Sequence, residues 1–137
     1  MNRVKRHVTA LALTLLTISG AAEARRAVLH DPEPVKFGCQ LPMKTVQKAL
    51  KKAFVNRGWT AKWVGNGHLI GKIVVRNKHT LVVGVRYNTR QFDINYKNSN
   101  NLKYRVKNGT QTIHPNANKW MMNVDREATA ILSSKCI

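Results

Sequence analysis

The sequence predicts an α+β two-layer sandwich in the order α-β-β-β-β-α: an antiparallel four-stranded meander with two helices packed on one face. Three observations carry this. Residues 46–54 hold an apolar stripe at helical spacing, residues 59–97 hold four stretches of period-two alternation, and residues 117–132 hold a second helical stripe. An antiparallel sheet with its helices on one side leaves the other side to solvent.

A leader stands ahead of these elements. Residues 1–7 carry Arg3, Lys5 and Arg6, residues 8–19 are uncharged and rich in Leu, Ala and Thr, and Ala22-Glu23-Ala24 places small residues at both ends of an A-x-A site. A basic head, a short apolar middle and such an end read as a secretory signal peptide over 1–24. The apolar run falls short of the ~20 residues that span a bilayer, and no second one follows. No transmembrane span is expected in the mature chain, and a periplasmic or secreted location is. Residues 25–38 contain Pro32 and Pro34 and no hydrophobic period, and read as an extended mobile arm. Residues 39–137 are expected to form a single domain.

The chain has two cysteines, Cys39 and Cys136. An even count in an exported chain reads as a disulfide, here joining the start of the domain to its end. No C-x-x-C pair suggests redox chemistry.

Pro42 suits the first position of a helix. Val46, Ala49, Leu50, Ala53 and Phe54 follow on one face, with Lys44, Lys48, Lys51 and Lys52 off it, and Gly58 supplies the stop. In the meander, Trp59, Ala61 and Trp63 share a face with Leu69, Gly71, Ile73 and Val75. Leu81, Val83, Val85 and Tyr87 join that face, and so do Phe92, Ile94 and Tyr96. Pairing Trp63 with Leu69, Val75 with Leu81 and Tyr87 with Phe92 keeps the whole apolar set on one side. The polar, Asn-rich stretch 97–112 reads as a short fifth strand or a packed loop, with Leu102, Tyr104 and Val106 alternating inside it. Pro115 opens the second helix, whose stripe is Ala117, Trp120, Met121, Val124, Ala128, Ile131 and Leu132.

Removing residues 1–24 takes Lys+Arg from 24 to 21 and Asp+Glu from 6 to 5, a formal balance of +16. Such a charge attracts polyanions. Anionic lipid headgroups, lipopolysaccharide, acidic polysaccharide or an acidic protein are the partners it points to. The open sheet face is predicted to carry Thr60, Lys62, Lys72, Arg76, Thr80, Arg86, Asn95 and Lys97, with Val74 and Val82 between them. An ordinary solvated basic face explains the same charges. The sheet aromatics fall on the core phase, so base stacking and sequence-specific nucleic-acid binding are not expected.

Catalytic signals are weak. His68, His79 and His114 show no metal-ligand spacing, and carboxylates are scarce: after the leader they are Asp31, Glu33, Asp93, Asp125 and Glu127. Capping or packing roles are expected for His79 and His114. No metal and no cofactor are expected. Ser99 lacks a G-x-S-x-G setting, and no Gly-rich phosphate loop is present. No catalytic constellation emerges, so the expectation is a protein that is not an enzyme.

One ordered set of residues has a wider meaning. It runs Arg57-Gly58-Trp59, Arg76 with His79, Val85-x-Tyr87, Phe92-x-Ile94-x-Tyr96, Ser99, Asn101-Leu102 and Tyr104, then Ile113-His114, Asn118 and Trp120. In that order it resembles a family of small exported bacterial proteins, often labelled lipoproteins, whose activity is uncharacterised. The resemblance covers most of the mature chain. It implies the helix–meander–helix fold and an envelope location, and supplies no reaction or ligand. The chain departs from the lipoprotein label because no cysteine stands at the cleavage point.

The polar members of that set are expected to cluster at one sheet end and the adjoining loop. Together with the open-face cations they give the candidate binding residues: Lys62, Lys72, Arg76, His79, Arg86, Ser99, Asn101, Tyr104 and His114. The leading expectation is a cationic binding module for an anionic envelope component or acidic protein. One alternative is a small hydrolase or enzyme inhibitor using the 99–104 loop with His79 or His114. Another is an oligomerising structural module with an apolar strip along Val64, Ile70, Val74 and Val82.

Overall fold

Helix α1 (Met43–Asn56) forms where the first stripe predicts it and buries Val46, Ala49, Leu50, Ala53 and Phe54. The computed structural model describes residues 26–137, so the signal peptide read over 1–24 lies outside the described residues. Pro42 stands at the N-cap, one position before the expected one, and offers its carbonyl to the Val46 amide at 3.1 Å. Gly58 leaves the helix at φ 81°, a left-handed conformation that costs glycine little.

The meander is as expected: β3 (Thr60–Trp63), β4 (His68–Val75), β5 (His79–Tyr87) and β6 (Gln91–Asn100), each antiparallel to the next. Trp63 faces Leu69 and Tyr87 faces Phe92, as the turn lengths require. The middle turn differs. Val75 faces His79, and Leu81 faces Ile73. Because the slip is by two residues, every apolar side chain stays on its expected face, and the loop becomes Arg76-Asn77-Lys78. Arg76 therefore leaves the open face and sits in the turn.

The 97–112 stretch is more ordered than its composition suggests. β6 runs on to Asn100 through a bulge: Tyr96 faces Val83 and Asn98 faces Val82, so Lys97 is the extra residue. A hairpin follows, β7 (Arg105–Lys107) with β8 (Thr110–Ile113). Helix α2 (Pro115–Ser133) then packs beside α1 on the apolar face of the sheet, with Pro115 in its first turn.

The segment read as a mobile arm is extended but held down, which corrects that expectation. β1 (Ala27–Val28) pairs with β8 to complete a three-stranded sheet, and β2 (Val35–Lys36) pairs with β6 as the edge of a five-stranded one. Beyond the reach of β2, Asp31 Oδ1 accepts the Tyr96 amide at 2.7 Å. Phe37 is buried and stacks on Phe92, with ring centroids 6.2 Å apart. The disulfide Cys39–Cys136 closes a sequence separation of 97 residues, with Cα atoms 5.4 Å apart. No helix among the described residues is long and apolar enough to cross a membrane.

The core holds one misfit. Asp125 is only 8% exposed, between Met121, Val124 and Ala128 on the buried side of α2, and its Oδ1 has no hydrogen-bond partner. Burial pushes its carboxyl up to about 6; Asp93 adds to this and Arg126 opposes it. A carboxyl whose pKa rises on folding favours the folded state only while protonated. Its cost is therefore absent below the unfolded value of 3.8, grows as pH rises toward 6, and is complete above that. Asp125→Asn is expected to stabilise the protein by up to about 2 kcal/mol at pH 7.5 and by nothing at pH 3.5. Urea unfolding of both proteins at the two pH values measures this.

Candidate functional site

The open face of the five-stranded sheet is built in rows across the strands. Lys62, Ile70, Gly84 and Asn95 form one row, and His68, Arg86 and Asp93 form the next. Thr60, Lys72, Val82 and Asn98 form a third on the other side. Period-two alternation puts these residues opposite the core set. Gly84 lies in the middle, and a Cβ built there would meet nothing within 4 Å. The gap left by its missing side chain lies within a hollow of about 590 Å³, with Ile70 and Val64 as apolar walls and His68, Arg86, Asp93, Asn95 and Lys97 as polar ones. Of the expected binding residues, Lys62, Lys72 and Arg86 are here and exposed. Among the described residues a single ion pair forms, Arg57 with Glu127 at 3.4 Å, away from this face.

A second group gathers at the β4–β5 turn. Arg76, His79 and His114 line a pocket of about 290 Å³ together with Val75, Leu102, Asn116 and Trp120. His79 Nδ1 lies 2.7 Å from the Asn101 carbonyl, and the Asn101 side-chain amide donates to the Lys78 carbonyl at 3.3 Å. His114 Nδ1 accepts the Asn116 amide at 3.1 Å and so caps α2. The capping role expected of His114 is therefore found. His79 and His114 line this pocket together: the β4–β5 turn brings one, the start of α2 brings the other, and the Asn101-Leu102 loop lies between them.

Ser99 and Tyr104 belong to a third, neighbouring cluster. The bulge turns Ser99 to the core side opposite Leu81, where its Oγ lies 2.7 Å from the Tyr96 hydroxyl. Tyr96 stacks on Tyr104 with centroids 4.7 Å apart, and Gln111 donates to the Tyr104 hydroxyl at 2.9 Å. Burial raises the Tyr96 pKa above its ordinary value; the Ser99 hydrogen bond lowers it and Tyr104 raises it again. A neutral phenol is a poor proton acceptor. Among the described residues the side-chain partner of the Ser99 hydroxyl is this phenol, not a base of the kind that activates a serine nucleophile. Among the described residues, no group of three or more His, Cys, Asp or Glu side chains converges to hold a metal ion.

Two features of these sites were missed from sequence. The available signal for Gly84 was a glycine in the middle of a strand on its solvent phase. His68 and Asp93 flank Arg86 in register, a fact visible only once both turns are fixed. Comparison with protein-family models, with curated proteins and with solved structures finds no match.

Proposed function

We propose that the mature chain is an exported bacterial envelope protein that binds an anionic envelope component, lipid headgroup or acidic polysaccharide, through the open face of its five-stranded sheet. The observation that carries this reading is the exposure of Lys62, Lys72 and Arg86 on one sheet face, with Arg86 lining the Gly84 hollow and, among the described residues, none of the three in an ion pair. Exposed cations without internal partners keep their full field for a polyanion and give up little solvation before contact. The sheet holds them at fixed spacing, and the hollow admits part of a ligand beside Arg86. The disulfide fits an oxidising compartment.

The oligomer reading rests on Val64 and Val74, which are 50% and 49% exposed. Lys62 and Lys72 share that face, so two copies meeting there would bring like charges together. The hydrolase reading has less support because Ser99 is bonded to a phenol.

Co-sedimentation with vesicles containing anionic lipid, and retention on an acidic polysaccharide, test the proposal across a salt series. Affinity is expected to fall by roughly ten-fold or more between about 50 and 200 mM salt. Binding that stays level with salt, or that is equal on zwitterionic vesicles, contradicts it.

A further inference from the structure

We propose that the pocket at the β4–β5 turn binds a single anionic sugar unit, with Arg76 holding its acidic group and His79 accepting a hydrogen bond from one of its hydroxyls. The pocket shares no lining residue with the Gly84 hollow, and the proposal stands on observations separate from those behind the open-face reading. Its volume of about 290 Å³ lies at the small end of the ~300–1,000 Å³ typical of ligand sites, which suits one ring and not a long chain.

The hydrogen bonds fix what the walls offer. The Asn101 carbonyl is only an acceptor, so His79 Nδ1 must carry a hydrogen, and in that tautomer Nε2 is the ring's acceptor. The Asn116 amide is only a donor, so His114 Nδ1 accepts from it and is taken up in capping α2. Arg76 adds a guanidinium suited to planar oxyanions, and Leu102 and Trp120 add apolar wall. A ligand that suits this set has anionic oxygens, a hydroxyl donor nearby and a ring with apolar edges. A free oxyanion leaves the apolar wall of Leu102 and Trp120 unfilled. A neutral sugar leaves Arg76 without a charge to meet. A uronic acid or a sugar phosphate satisfies both.

Arg76 supplies a second argument. Its φ of 55° is left-handed, in a turn closed by the Lys78 amide on the Val75 carbonyl at 3.1 Å. Asn77 beside it has φ 56° and is a residue that adopts this conformation readily. Arginine does not, and backbone strain of this sort persists where a side chain is needed in place.

The test titrates the oxidised mature protein with glucuronate, glucose 1-phosphate, glucose and inorganic phosphate, following backbone amide shifts by NMR. Saturable shifts at His79, Asn101 and Trp120 are expected with at least one anionic sugar, and which of the two binds identifies the acidic group. Glucose and inorganic phosphate are expected to bind at least ten-fold more weakly. Arg76→Asn is expected to weaken the sugar at least ten-fold while raising the thermal midpoint, because asparagine relieves the left-handed strain. The triple variant K62E/K72E/R86E is expected to leave sugar affinity unchanged. Three results overturn the proposal: no saturable shift with either anionic sugar, unaltered affinity in Arg76→Asn, or affinity lost in the triple variant.

Discussion

Replacing both Cys39 and Cys136 by serine is expected to lower stability by about 4–5 kcal/mol, because the bridge closes a long loop in the unfolded chain. The two cysteines stand 97 residues apart, one just before α1 and the other three residues after α2 ends. Without the bond, the unfolded chain regains the freedom of nearly the whole domain. Both cysteines also pack against the core, so the bond fixes where the ends of the two helices meet. Domains of this size have only ~5–15 kcal/mol in hand, so the double variant should sit close to its threshold. Urea unfolding of the oxidised protein and the variant measures the loss. The slope of the transition should also rise, because a chain without the bridge exposes more surface on unfolding. A midpoint that hardly moves contradicts the assignment of the bridge as the main constraint on the ends.

The second large effect comes from one methyl group. Gly71 lies on the core side of β4, and a Cβ built there overlaps Phe54 Cε1 and falls 2.7 Å from Phe54 Cδ1. Phe54 is fully buried and meets Trp59 edge-on at 5.3 Å between centroids, so any shift of its ring disturbs packed neighbours. Gly71→Ala should therefore cost about 3 kcal/mol through displacement of α1 from the sheet. The same change at Gly84, on the opposite face and in open space, should stay within about 0.5 kcal/mol. Thermal unfolding of the two variants side by side separates a packing effect from the general cost of altering a strand glycine. Equal losses would mean that the helix layer is not seated on Gly71 as described.

The helical stripes were legible because burial on a helix has a strong period. Val46 to Phe54 and Ala117 to Leu132 needed nothing but spacing, and the buried faces agree with them. Asp125 also occupies a stripe position, four residues after Met121, and that was the signal for its burial; its charge argued the other way. The meander was legible because Trp63, Leu69, Tyr87 and Phe92 fixed two turns whose lengths agree with the period. The middle turn slipped by two residues since period-two alternation cannot tell a register from its neighbour two residues away. What remained hidden depends on contacts between distant residues. The bulge at Lys97 breaks the alternation, so the sequence ends β6 too early, and the alternation of Leu102, Tyr104 and Val106 after it does not distinguish a strand from a packed loop. The arm is held by Asp31, Phe37 and two-residue pairings that leave no pattern in a local window.

The placement of charge on the open face is the claim on which the functional reading depends, and the anionic-vesicle assay addresses it most directly when two sets of cations are compared. K62E/K72E/R86E removes the open-face charge, and K44E/K48E/K52E removes an equal charge from the exposed side of α1. If the sheet is the binding surface, the first variant loses binding at about 100 mM salt and the second keeps most of it. Equal losses in the two would mean that net charge, and not the face built around Gly84, holds the partner.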